Sequence, residues 1–328
     1  MTSDKKTGRI ALISVYYGNQ PEYLSLFLNS AKNNPEFDFY IFSNWNDIPI
    51  KAKNIFLITF PLEDFNNLAI SKNIFTQRIE NPYKLCDIKP AWPHILEDYL
   101  EDTHYSHIGF SDIDLIFGDL CRFIDLEDIQ NYDIWTAHDN YMAGFFTLLR
   151  NNDFIKKLYQ YESFYKFIFN SPIHFAFDEI LRKDYKNFSS GNNLISFSDI
   201  VVLHEKKGLL KVKRMEGVIS EHRPKYLRFN KKGIFDKDGV EYMGFHHFFV
   251  KRYIFWLFPK WKEVPETFYA NKYGFYADSS SPNNFYSLMF KSKNRNYIIA
   301  KIKELDYIYI LKNNTFKTIL NCIKKQIT

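Results

Sequence analysis

Long apolar runs are missing from this 328-residue chain. Its densest aromatic stretch, Phe245 to Trp261, is broken by Lys251, Arg252 and Pro259, which makes it too short and too polar for a membrane-spanning helix. The opening MTSDKKTGRI is charged but has no apolar core, so no cleavable secretory signal is expected. Cysteine is scarce. Cys86, Cys121 and Cys322 lie far apart with no CxxC pair, which argues against a disulfide framework and a structural zinc site and points to a reducing compartment, most simply a cytoplasm. With only 12 Gly and 12 Pro the chain is neither collagenous nor low-complexity. Neither GxGxxG nor GxxxxGK[ST] occurs, so the dinucleotide fingerprint and the P-loop are both absent.

Aromatic residues are abundant: 33 Phe, 23 Tyr and 5 Trp within a 46% hydrophobic composition supply a full-sized core. The formal charge of +5 is unevenly placed. Residues 281–328 hold nine Lys or Arg against Glu304 and Asp306, which leaves the preceding body slightly acidic. A basic groove for nucleic acid across that body is therefore not expected, whereas the tail suits an anionic surface.

The hydropathy pattern opens as alternating β and α. Arg9 to Tyr17 reads as a buried central strand ending in the turn residues Gly18 to Pro21, followed by a helix from Glu22 to Asn33 with Leu24, Phe27, Leu28 and Ala31 on one face. Phe37 to Asn44 and Ile55 to Phe60 are further strands. Leu62 to Glu80 is poorly patterned, and Ala91 to Leu100 reads as a helix begun near Pro90 and Pro93. Strands are expected at His104 to Phe110, Asp133 to Ala137 and Met142 to Leu149, then helices at Asp153 to Phe169 and Phe177 to Lys186. Ile195 to Leu203 and Leu209 to Arg214 read as antiparallel strands, and Gly239 to Val250 as a late return to the main body. This order predicts an α/β fold with a mostly parallel mixed sheet flanked by helices. It fills residues 1–265, with a basic, helical appendage over 266–328 beyond a linker marked by Ser279 to Asn284.

The sharpest chemical feature is Asp112-Ile113-Asp114, at the exit of the His104–Phe110 strand. Carboxyl ends of strands in open α/β sheets are where ligands sit, and in extended chain the period of two puts both carboxylates on one face. Such oxygen ligands suit Mg²⁺ or Mn²⁺. The flanks are apolar, and two carboxylates there repel one another unless a cation or donors compensate them. The plainer alternative leaves Asp112 exposed and uses Asp114 to cap a following helix. Asp119 reads as a cap or an ion-pair partner.

Three runs, YKLCDIKPAW (Tyr83 to Trp92), HIGFSDIDLIFGDL (His107 to Leu120) and MAGFFTLLRN (Met142 to Asn151), resemble an uncharacterised bacterial family of glycosyltransferases found with polysaccharide and surface-glycan genes. That family is in turn similar to nucleotide-sugar transferases of GT-A fold. The likeness covers about residues 9 to 255. It implies a GT-A-like domain in which Asp112 faces the ribose or donor sugar, Asp114 is a direct metal ligand, and a strand through Met142, Ala143 and Gly144 lies beneath the donor sugar. It implies that Phe177-Asp178-Glu179 flanks the transferred sugar, and that His246 or His247 completes the metal site. The pattern of a histidine followed by an aromatic and then basic residues favours His247. Adjacent residues on a strand face opposite ways, so at most one of them serves. Both alternatively pack among Phe245, Phe248 and Phe249.

Around this constellation, Lys84 and Lys89 are candidates for the donor diphosphate, with Asp87 holding a lysine or accepting from ribose hydroxyls; a surface ion network is the alternative. Tyr16, Tyr17 and Gly18 suit a nucleotide base, and Asn44 or Asp47 ends the neighbouring strand. Asp178, Glu179 and Asp139 are the candidate bases for an acceptor hydroxyl. The expected activity is metal-dependent transfer of a hexose from a nucleoside diphosphate sugar, UDP-linked by resemblance and weakly leaning to retention, onto a surface glycan or lipid-linked acceptor. A sugar-nucleotide hydrolase or nucleotidyltransferase, and a noncatalytic glycan-binding protein, are the rivals. In the tail, Ile298, Ile302, Leu305 and Tyr309 among lysines suit either peripheral contact with an anionic membrane or docking on the body.

Overall fold

The computed structural model describes residues 8–100, 104–161, 164–181 and 194–252, and beyond these 256, 258–259, 261–272 and 274–277. The tail expectations lie outside the described residues, as do residues 182–186 of the helix expected over Phe177 to Lys186; its first half, 177–181, is turn and loop rather than helix.

The core sheet is built as the hydropathy predicts. Strand β1 (Ile10–Tyr16) is apolar and buried along most of its length. It lies between parallel neighbours, with β2 (Phe37–Ser43) and then β3 (Ile55–Thr59) on one side and β4 (His107–Ser111) on the other. Helix α1 (Leu24–Lys32) covers one face through Leu24, Phe27, Leu28 and Ala31. After β4 the chain forms the short β5 (Leu115–Phe117), β6 (Ile134–Thr136) and β7 (Phe146–Arg150); β7 is antiparallel to both β4 and β6. With β8 (Val212–Arg214) parallel to β6, the large sheet runs β3-β2-β1-β4-β7-β6-β8.

The other face is covered by α2 (Leu62–Ser71), the short turns α3 (Leu85–Ile88) and α4 (Trp92–Ile95), α5 (Asp153–Lys156), α6 (Phe164–Asn170) and α7 (Phe197–Lys206). Several differ from the sequence reading. Helix α2 lies in the stretch without clear pattern because its buried face carries Asn66, whose side chain both donates to the Ile79 carbonyl and accepts from its N–H. The helix expected over Ala91 to Leu100 is a chain of short turns: Pro90 and Pro93 each sit in the first turn of one, and the chain breaks again at Leu96. Ile195 to Leu203 is helical rather than a strand, since a reciprocal capping box between Ser196 and Asp199 overrides the β-branched run that follows.

Two smaller sheets complete the body. Strands β9 (Ile219–Ser220), β10 (Leu227–Asn230), β11 (Gly233–Asp236), β12 (Glu241–Tyr242) and β13 (Gly244–His246) precede β14 (Phe268–Asn271) and β15 (Gly274–Tyr276). The five-stranded sheet is β12-β11-β10-β14-β15, and the three-stranded one is β5-β13-β9. Pairing of β14 with β10 carries the body past the boundary expected at Pro265. The late return is realised by β13, which pairs antiparallel with β5 directly behind the Asp112–Asp114 turn. Among the described residues no helix is long and apolar enough to cross a membrane.

Candidate active site

Asp112 and Asp114 sit in the link between two sheets. The Asp112 N–H continues the β4–β7 ladder by donating to the Phe145 carbonyl, while Asp114 leads into β5 and its carbonyl accepts from His247 N–H. Asp114 therefore caps no helix; a strand follows it. Asp119 forms an ion pair with Arg122. Register between β5 and β13 sets His246 opposite Leu115, next to the carboxylates. His246 Nε2 lies 3.4 Å from Asp114 Oδ1 and 4.0 Å from Asp112 Oδ2. Its Nδ1 is 2.9 Å from Glu221 Oε1.

This trio fits a divalent cation. One nitrogen and two carboxylate oxygens converge within 4.8 Å of one another, a mixed donor set suited to Mn²⁺ or Mg²⁺. His246 Nε2 is buried and faces the two carboxylates without a well-formed hydrogen bond to either. The sequence order of preference is reversed here, because β13 turns His246 toward the carboxylates and His247 away from them. The His247 ring packs at 4.6 Å from Tyr23 and 5.4 Å from Phe258, fully buried, with neither nitrogen hydrogen-bonded. Burial pushes it down to about 3, so it stays neutral.

Lysines balance the carboxylates. Lys251 donates to Asp114 Oδ2. Lys89, buried, bridges Asp112 Oδ1 at 2.7 Å and Asp178 Oδ2 at 3.5 Å. Burial opposes charge on Asp114, yet His246 and Lys251 outweigh it and hold the carboxyl well below its usual range. Burial alone would lower His246, but Asp114, Glu221 and Asp112 lift it to about 9. Asp178 is pushed well above the carboxylate range by burial, Lys89 opposing and the neighbouring carboxylates adding. Glu179 rises for the same leading reason.

These side chains separate two cavities. The larger, about 270 Å³, is lined by Tyr16, Tyr17, Tyr23, Trp92 and Lys251 among others. The smaller, about 160 Å³, is lined by Tyr141, His174, Asp178, Glu179, Glu221 and His246 among others. Tyr83, Cys86, Lys89, Asp112 and Phe248 border both. One cavity is thus aromatic and the other acidic, with Asp112 and Lys89 at the junction.

Several expected site residues stand elsewhere. Lys84 Nζ is buried between Asp87 Oδ2 and the Ile173 carbonyl, each 2.6 Å away, and borders neither cavity. Asp87 also accepts from the N–H groups of Phe175 and Phe177. The pair pins the 173–177 segment in place. Met142 to Gly144 is a turn before β7 rather than a strand, because side chains take its donors: Ser198 Oγ for Met142 N–H, Thr136 Oγ1 for Ala143 and Glu179 Oε1 for Gly144. Asp139 is partly exposed, faces His138 at 3.0 Å and borders neither cavity. Asn44 accepts from Gly18 N–H, so both hold the turn after β1, where Gly18 has a φ of 124°. Trp45 donates to the Gly18 carbonyl and packs on Tyr16, while Asp47 is paired with Lys51.

Sequence reading missed Glu221, Tyr23 and Tyr83, and did not assign Lys251 a site role. Glu221 and Tyr23 lie outside the quoted runs, and Tyr83 opens one of them without a chemical signal of its own. The signal for Lys251 was its spacing after the histidine pair.

A family model described as "Family of unknown function (DUF6625)" matches residues 12–252. No curated protein matches the chain. Among solved structures, the chain is similar to galactosyltransferase LgtC with donor and acceptor sugar analogs (14% identity, 65% of this chain and 75% of that one, TM-score 0.34). It is also similar to mouse xyloside xylosyltransferase 1 (7% identity, 65% and 87%, TM-score 0.36), and to glycosyltransferase GlyE of Streptococcus pneumoniae TIGR4 (15% identity, 64% and 45%, TM-score 0.29). At such distances they assign no role to any residue of this chain.

Proposed function

The chain belongs to the DUF6625 family, of unknown function, and we propose that it is a metal-dependent glycosyltransferase, moving a sugar from a nucleoside diphosphate donor to a glycan or lipid-linked acceptor. The observation that carries this reading is the convergence of Asp112, Asp114 and His246 on one point, flanked by Lys89 and Lys251, where an aromatic cavity meets an acidic one.

The residues divide the work by their chemistry. Asp112, Asp114 and His246 would hold Mn²⁺ or Mg²⁺, which when bound would supply a Lewis acid for the departing diphosphate. Lys89 and Lys251 now neutralise carboxylates and turn to phosphate oxygens when the donor arrives, offsetting charge that grows on the leaving group. Tyr16, Tyr17 and Tyr23 in the larger cavity receive the nucleoside, UDP being the first donor to test. Asp178 and Glu179 in the smaller cavity hydrogen-bond sugar hydroxyls. Glu179, anchored on the Gly144 N–H and raised by burial, takes the acceptor proton at a carboxylate oxygen in this reading, the anchor and the acidic cavity being what support it.

The experiment is binding and turnover of a UDP-, GDP- and TDP-sugar panel with and without Mn²⁺, by calorimetry and product analysis. Metal-dependent nucleotide binding, with sugar transfer lost in Asp114→Ala, is expected. Absence of metal-dependent nucleotide binding contradicts the reading. Sugar-nucleotide cleavage without acceptor, at the rate of transfer, makes the protein a hydrolase.

A further inference from the structure

We propose that Glu221 is the positioning residue for His246, holding its ring by Nδ1 so that Nε2 stays turned to Asp112 and Asp114. The inference rests on the cation reading above and names a residue outside every motif of the sequence.

The backbone sets the pair. Strands β9 and β13 run parallel with Gly244 opposite Ile219 and Phe245 opposite Ser220. Glu221 and His246 are the next residues along that register, so the ladder itself delivers carboxylate to imidazole. Their contact is Nδ1 to Oε1 at 2.9 Å. The ring is also walled in by aromatics, with Phe145 at 4.6 Å and Phe248 stacked at 5.7 Å. Packing of this kind fixes the ring plane but does not choose between its two flips, since a half-turn swaps each nitrogen with a ring carbon (Nδ1 with Cδ2, Nε2 with Cε1) within nearly the same shape. The Glu221 bond makes that choice. It holds a proton on Nδ1 and so keeps Nε2, buried, aimed at the two aspartates. A carboxylate behind a ligating histidine orients the ring and raises its basicity.

Glu221 also lines the smaller cavity with Asp178 and Glu179, which raises the question of a direct role in transfer. Its geometry answers differently from theirs. Its Oε1 is committed to His246, whereas Glu179 is anchored on backbone and Asp178 on Lys89. Glu221 acts through another side chain.

The test uses the full chain without nucleotide and has two readouts. One is Mn²⁺ affinity by electron paramagnetic resonance. The other is the far-downfield resonance of the His246 Nδ1–H held by the Glu221 carboxylate, assigned through its own ring nitrogen so that a proton on Nε2 beside Asp114 is told apart, recorded without metal. The wild type is expected to show this resonance, and Glu221→Ala and His246→Ala to lose it. Glu221→Ala is expected to weaken Mn²⁺ binding about 10- to 100-fold, and Glu221→Gln, whose amide oxygen still accepts from Nδ1, by no more than about threefold. Glu221→Leu keeps the bulk and takes the place of Glu221→Ala should that variant fail to fold. Wild-type Mn²⁺ affinity in the Ala or Leu variant, or a resonance that persists in it, overturns the positioning role. A Glu221-dependent resonance in a wild-type protein that binds no Mn²⁺ overturns the proposal through its premise, the cation, and is thereby told apart from failure of the positioning itself.

Discussion

A methyl group on Gly144 would stand 2.3 Å from Asp178 Oδ2 and 3.0 Å from Glu179 Oε1. The missing side chain is thus the space in which the acidic wall of the smaller cavity sits. Gly144→Ala is expected to push Asp178 off Lys89 and to break the bond from Gly144 N–H to Glu179. Overpacking a buried site costs about 1–3 kcal/mol, and sugar transfer should fall by more than the lost stability explains. Urea unfolding together with kcat/KM measures both. Wild-type values of each would mean that the two carboxylates yield freely.

The two adjacent histidines should separate cleanly. His246→Ala removes the nitrogen facing Asp112 and Asp114 and is expected to abolish measurable Mn²⁺ binding at micromolar protein, with the fold kept. His247 is buried among Tyr23, Phe245, Phe258 and Phe275 with two unmet ring nitrogens. Leucine at that position relieves an unpaid desolvation, so His247→Leu should leave Mn²⁺ affinity intact and stabilise by about 1 kcal/mol. Loss of Mn²⁺ binding in His247→Leu, with retention in His246→Ala, would return the ligand role to His247.

How much of this was legible beforehand depends on the distance between partners in the chain. Local signals were readable. The continuous apolar run of β1, the amphipathic face of α1 and the Asp112–Asp114 pair at a strand exit are all visible in short windows. What escaped was set by long-range pairing or by side chains that satisfy backbone donors. Nothing near Glu221 announces that β9 will lie against β13, 25 residues later along the chain for the Glu221 and His246 pair. The MAG run looks like strand because Met142 and Ala143 are buried, yet Ser198, Thr136 and Glu179 take the N–H groups that a strand would have given to its neighbour. Lys84 and Asp87 read as ligand groups because charged residues are seldom fully buried. Here the two satisfy one another and the 173–177 backbone.

Stability of the metal-free protein should peak near pH 6.5. Burial holds His107 down to about 4, with Nε2 against the Tyr132 carbonyl. The unfolded chain therefore takes up a proton near pH 6.5 that the folded chain refuses until about pH 4, and stability falls across that window by roughly 3 kcal/mol for this residue. His246 works in the opposite sense. Its folded value of about 9 lies above the unfolded one, so its contribution is complete below about pH 6.5 and is lost as pH rises toward 9. Saturating Mn²⁺ should flatten the alkaline arm, because a ligating imidazole carries no proton on the bound nitrogen. Urea titrations from pH 4.5 to 9 measure both arms, and His107→Gln should lessen the acidic one. An acidic arm unchanged in His107→Gln would assign the loss to other groups.

The expected division at Pro265 would leave β14 and β15 to an appendage, but both belong to the five-stranded sheet. Phe268 stacks on Phe229 at 4.6 Å, and Phe275 meets Phe229, Phe245, Trp256 and Phe258. Each buried phenylalanine contributes about 1.5–3 kcal/mol, so removing the pair takes about 3–6 kcal/mol, a large share of the stability of an ordinary domain. The loss is not confined to the sheet. Phe245 precedes His246 on β13, so exposing its ring loosens the strand that carries the proposed cation ligand. A chain ending at Pro265 should therefore aggregate or melt well below the full-length protein. Phe268→Ala with Phe275→Ala in the full chain should weaken Mn²⁺ binding and stability together. Wild-type melting of the chain ending at Pro265 would show that β14 and β15 are accessory and that the 1–265 division was right.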